Sequence, residues 1–160
     1  MVGDDLIFLR GTVEEDIESI YKNIHAHYIE KYYPGQEKEQ WENHKRWYKF
    51  LIKSPAYALY TVTNDENEFL GYVKFELDEE FAVINIFLAE KMRGKKISSD
   101  IIRLSIEEFI FDKSEISVIF AYILEENIAS IKAFKKVGFV FDSLEEYKGL
   151  EHMLFIKTLE

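Results

Sequence analysis

The sequence predicts an α+β fold, in the order βαα-βββ-αβ-αββ, with a mixed and mostly antiparallel sheet. Three observations carry this. Apolar residues recur at helical spacing in the first third of the chain, and from Ala56 the period changes to that of strands. Two nearly unbroken apolar runs, Phe81–Ala89 and Ile116–Leu124, then flank an amphipathic helix, the pattern of a right-handed crossover between parallel strands.

Leu6–Arg10 reads as the first strand. Thr12 and Glu15 have capping-box spacing, and Ile17, Ile20, Tyr21, Ile24 and Tyr28 mark one face of the helix that follows. His25 and His27 are two apart and point different ways on that helix, so they make no metal pair, and Pro34-Gly35 ends it. A second helix carries Trp41, His44, Tyr48 and Leu51 on one stripe and stops near Ser54-Pro55. Trp41 and Trp47 suit a core stripe or the floor of an acceptor pocket.

Tyr57–Val62, Phe69–Leu77 and Phe81–Ala89 form an antiparallel meander through the polar turns Asn64–Asn67 and Asp78–Glu80. Glu76 on its middle strand is solvent-facing by default, or a buried base if the alternation runs the other way. After the crossover, a helix bearing Ile131, Phe134 and Lys135 ends at Gly138, and Phe139–Asp142 and His152–Lys157 close the sheet. Neither repeat nor linker interrupts the chain, so all 160 residues are expected to form one domain.

A net charge of −10 argues against duplex nucleic acid and against an anionic membrane surface as partners. The absence of cysteine excludes disulfides, thiolate zinc sites and a cysteine nucleophile. The acidic start Met-Val-Gly-Asp-Asp lacks the features of a signal peptide, and no apolar run approaches the roughly 20 residues of a membrane span. A cytoplasmic protein is expected, monomer or homodimer, with no metal.

Against this acidic background Lys91-Met-Arg-Gly-Lys-Lys96 brings four cations in six residues, just before a helix marked by Ile97, Ile101, Leu104 and Ile102, Ile106, Phe109. Cations at a helix start oppose the backbone dipole unless an anion such as phosphate sits against them. The alternative is a solvated surface run.

Two stretches resemble the GNAT superfamily of acetyl-CoA-dependent N-acetyltransferases. Arg93-Gly-Lys-Lys-Ile-Ser98 falls where that family has the pyrophosphate loop [RQ]-x-x-G-x-[GA], and Asn127–Phe139 is similar to its N-x-x-[SA]-x-x-x-[YF]-x-x-x-G-F segment. The resemblance covers most of the chain and implies a GNAT fold whose parallel fourth and fifth strands splay apart around acetyl-CoA. It implies a pyrophosphate held by Arg93, Gly94, Lys95, Lys96, Ile97 and Ser98. Ile86, Phe87 and Leu88 would pair with pantetheine, and Asn127, Ser130 and Phe134 would stand beside it. Asn127 reads equally as a helix N-cap.

Four positions depart from the family pattern. Lys96 and Ser98 replace small residues, Phe134 stands where many members have a proton-donating tyrosine, and Val83 where a glutamate base is common. Proton handling then falls to Glu76, Tyr122, Tyr147 and His152, while attack by an already neutral amine is mostly a matter of positioning. The implied acceptor is a primary amine of a small molecule or peptide. Trp41-Glu-Asn-His-Lys-Arg-Trp47 resembles the branch acting on amino groups of nucleotide sugars, with the ribosomal-protein amino-terminal branch as alternative. A non-catalytic acyl-CoA binding module and an interaction domain without a cofactor site remain as further alternatives.

Overall fold

A computed structural model of the chain describes residues 6–24, 41–94, 96–113 and 115–159. Seven strands, Phe8–Gly11 (β1), Tyr57–Thr63 (β2), Phe69–Asp78 (β3), Phe81–Leu88 (β4), Val118–Ile123 (β5), Val140–Tyr147 (β6) and Leu150–Thr158 (β7), form one sheet ordered β1-β2-β3-β4-β5-β7-β6. Every neighbouring pair is antiparallel except β4 and β5, which are parallel. Among the described residues the α-helices are α1 (Ile17–Ile24), α2 (Trp41–Lys53), α3 (Ser98–Asp112) and α4 (Ile128–Val137). The expected order and mixed sheet are those observed.

Strand alternation divides the sheet into two faces. Val73, Phe75, Ile84, Ile119 and Phe155 pack against Ile102, Ile106 and Phe109 of α3 and Phe134 of α4 in the larger core. There the Phe75 and Phe109 rings stack with centroids 4.0 Å apart. On the other face Leu59 and Tyr72 meet Ile17 and Ile20 of α1 and Tyr48 and Leu51 of α2. Tyr48 and Tyr72 share a buried hydroxyl hydrogen bond of 2.6 Å.

Local details differ from the sequence reading where long-range partners intervene. Thr12 does not cap with Glu15: its hydroxyl bonds that of Thr61 on β2 at 2.8 Å. Asp16 takes over, accepting from the Val13 amide (2.9 Å), the Arg10 fork (2.8 and 2.9 Å) and the Thr61 hydroxyl (3.0 Å). The last two strands are longer than their apolar cores suggest. Asp142, Glu145 and Glu146 interrupt the apolar signal of β6, which lies at the sheet edge and is mostly exposed. His25, His27, Tyr28 and Pro34-Gly35 lie outside the described residues. Among the described residues no helix is long and apolar enough to cross a membrane.

Candidate active site

The site begins where two strands stop pairing. β4 and β5 are in register from Phe81↔Val118 to Val83↔Phe120 and then separate. β4 stays paired with β3 as far as Gly71↔Leu88, and beyond it the Ala89 amide donates to the Leu70 carbonyl at 2.8 Å. Backbone groups alternate in direction along a strand, so the amides of Asn85 and Phe87 are turned to β3 and those of Ile86 and Leu88 to the gap. Gly71 permits this approach, since a Cβ there would lie 2.4 Å from the Phe87 carbonyl oxygen.

The gap is a cleft of about 240 Å³, and residues from β4, the β4–α3 loop, α3, β5 and α4 line it. Of the residues expected from sequence it brings together Ile86, Phe87, Leu88, Arg93, Gly94, Ser98, Tyr122, Asn127, Ser130 and Phe134. Lys96 and Ile97 do not line it; Lys96 is exposed and Ile97 packs against the larger core. Lys95 lies outside the described residues. Ile84, Asn85, Ile102, Ala121, Ile123, Ala129 and Ala133 also line the cleft and were not singled out as binding residues. Their available signal is the small side chain: Ala121, Ala129 and Ala133 leave room that larger residues would fill.

The basic turn is not the first turn of a helix. α3 opens with Ser98-Ser99-Asp100, whose acidic residue suits the dipole, and Lys96 precedes it with φ 60°. A left-handed residue cannot continue a right-handed helix, so the chain turns before α3 begins. Gly94 has φ 78°, so two of the described residues of this loop are left-handed, and Lys96 takes the conformation for which the family pattern uses glycine. At α4 the Asn127 side chain accepts from the Ser130 amide at 3.3 Å, a true N-cap, while both residues also line the cleft.

The residues expected to handle protons form a second group. Tyr122 lines the cleft, and the Tyr147 ring stacks on it at 4.2 Å with 3° between planes. His152 is buried edge-on to Tyr147 at 5.4 Å, donating from Nδ1 to the Leu150 carbonyl at 2.9 Å. Glu76 is exposed, opposite Val83 on β4. Burial raises the Tyr147 phenol; the Asn85 amide partly offsets this, and the charge of Glu76 adds to it. Burial and then Glu145 raise Tyr122; burial and then Glu76 raise Tyr57. Among the described residues no group of three or more His, Cys, Asp or Glu side chains gathers to hold a metal ion.

The family model described as an acetyltransferase (GNAT) domain matches residues 7–140. The chain belongs to the GNAT acetyltransferase family. Solved structures share the fold at low identity. Spermidine N-acetyltransferase from Vibrio cholerae, in complex with CoA and spermine, superposes with a TM-score of 0.84 at 18% identity, covering 95% of each chain. The aminoglycoside acetyltransferase AAC(6')-Ib with ribostamycin and coenzyme A gives 0.81 at 16%, covering 96% of this GNAT chain and 94% of its own. A domain from Methanocaldococcus jannaschii gives 0.80 at 22%, covering 98% and 100%. No curated protein matches this GNAT chain in sequence.

Proposed function

We propose that this GNAT domain transfers the acetyl group of acetyl-CoA to a primary amine by direct attack. The observation that carries the reading is the fork itself, an open β4 edge facing a cleft that ends at the left-handed loop before α3. The amides of Ile86 and Leu88 suit the pantetheine and the developing oxyanion. Gly94 and Ser98 give backbone access to a pyrophosphate, and Arg93 and Lys96 contribute charge. Asn127, Ser130 and Phe134 close the opposite wall. Acetyl-CoA supplies an activated thioester; the amine nitrogen bonds to its carbonyl carbon, the carbon–sulfur bond breaks, and one proton leaves the nitrogen.

Phe134 has no proton to give, and Val83 is no base. The thiolate therefore leaves unassisted or takes a proton through water from Tyr122 or Tyr147, with Glu76 or His152 as acceptor for the amine proton. The structurally similar enzymes whose names give an acceptor act on amines, spermidine and aminoglycosides. An amino sugar fits that chemistry. The nucleotide part of a nucleotide sugar fits less well, because Glu76 and Glu145 bring negative charge to the tyrosines beside the fork.

The test is thermal stabilisation by acetyl-CoA followed by thiol release with amine panels. Stabilisation with turnover is expected. Arg93→Glu with Lys96→Glu should weaken acetyl-CoA by about tenfold or more, most clearly at low salt. No stabilisation of the unmodified protein would sink the reading. Stabilisation without turnover on any amine would favour the non-catalytic acyl-CoA module, for which the Phe134 and Val83 departures argue.

A further inference from the structure

Asn85 sits two residues past the last β4–β5 pair, lines the cleft and is 8% exposed. Its side-chain Nδ2 has no hydrogen-bond partner. A buried donor left unpaired is destabilising, and a ligand oxygen that accepts from it removes that penalty. The amide faces the Tyr147 hydroxyl closely enough to favour its phenolate, yet it completes no bond there.

Register places the chemistry around it. Tyr57, Glu76 and Val83 are successive partners across β2, β3 and β4, and Val83 pairs with Phe120 on β5. Directly paired residues share a face, so Tyr57, Glu76, Asn85 and Tyr122 all lie on the face opposite α3 and α4. Tyr147 is fixed against this group by Tyr122 on its ring face and His152 at its edge, with the Lys148 ammonium 5.5 Å from its centroid. Glu76 is exposed and paired with Val83, the last β4 residue in register with β5, so it stands beside the start of the fork, where its charge bears on Tyr57 and Tyr147. Lys74, paired with Asn85 across β3 and β4, shares the face and has a contact of its own.

We propose that this face of the fork is the acceptor subsite and takes a hydroxylated primary amine, an amino alcohol or amino sugar. Glu76 pairs with its ammonium and Asn85 Nδ2 donates to its hydroxyl. The inference rests on the acetyltransfer reading and narrows it. A fully protonated polyamine offers donors and no acceptor, so it would leave the Asn85 amide unpaired. A hydroxyl beside the amine satisfies it, and a site built to bond a hydroxyl discriminates strongly against the analogue that lacks one. The bound ammonium yields a proton to water or Glu76 before attack, and the neutral nitrogen then faces the thioester from the side opposite α3 and α4.

The test compares matched amines by titration calorimetry on the protein saturated with CoA: ethanolamine against propylamine, and glucosamine against cyclohexylamine. The hydroxylated member of each pair should bind about tenfold tighter. Asn85→Leu, which removes every polar atom of that side chain, should erase that ratio by weakening the hydroxylated member alone. Glu76→Gln should weaken both members together. Equal affinity within both pairs, or no binding by any of the four, overturns the subsite, as does an Asn85 variant that weakens CoA and leaves the ratio intact. Absent acetyl-CoA stabilisation of the unmodified protein overturns the acetyltransfer reading as well, whereas intact stabilisation without a hydroxyl preference overturns the subsite alone.

Discussion

The two faces of the sheet are built from the same strands to opposite ends. Toward α3 and α4, β4 presents Ala82, Ile84, Ile86 and Leu88, all packed into or against a continuous apolar core. Toward the other side it presents Val83, Asn85 and Phe87, and the covering is uneven. α1 and α2 close over Leu59 and Tyr72, while Tyr122 and Tyr147 stack on each other beside the cleft. The dry face carries stability, and the other leaves polar groups available to a ligand. One strand serves both because its side chains alternate.

The largest effect should come from the dry face. Phe109→Ala removes a fully buried ring stacked on Phe75 and should cost about 3–5 kcal/mol in urea denaturation. A loss below about 1 kcal/mol would break the contrast between the faces. At the covered part of the other face, Asp16→Asn should cost about 1–3 kcal/mol near neutral pH. Burial alone would raise the Asp16 carboxyl, but Arg10, the Val13 amide and the Thr61 hydroxyl outweigh it and hold the carboxyl below its usual range. A depressed folded value means that this stability is present above the unfolded value, roughly 4, and is lost as pH falls through the folded one. The variant should therefore show a shallower acid limb in a plot of denaturation midpoint against pH, and an unchanged limb would mean the carboxylate is not the group stabilised.

Tyr147→Phe should be the mildest for stability, under about 1 kcal/mol, because the ring contacts persist without the hydroxyl. Its effect should appear as a raised KM for the acceptor with acetyl-CoA stabilisation intact. A large drop in melting temperature would show that the hydroxyl is structural and that the two faces differ less than their packing suggests.

Much of this was legible because it is local. Val73 and Phe75 alternate with Tyr72 and Lys74, and the spacing of Ile102, Ile106 and Phe109 is helical, so the sequence carries the elements, their order and the faces they bury. The loop at Arg93–Ser98 and the segment from Asn127 were readable as motifs, and Arg93, Gly94 and Ser98 of the first meet Asn127, Ser130 and Phe134 of the second at one cleft. The placement of the lysines was not: four cations before an apolar period look like a helix start, and only the φ of Lys96 shows that the chain turns first.

By itself the sequence determined the order of elements along the chain and the parallel pair, since periodicity records which face each residue shares with its near neighbours, and its resemblance to the GNAT pattern pointed to the fork. Tertiary structure alone decided that pairing ends at Val83, that the Ile86 and Leu88 amides face the gap while that of Phe87 does not, and that the Asn85 amide is left without a partner. It also decided that Tyr122 and Tyr147, from strands separated by a helix, lie ring on ring. Those facts depend on where one strand parts from another and on what packs across the sheet, which no local spacing encodes.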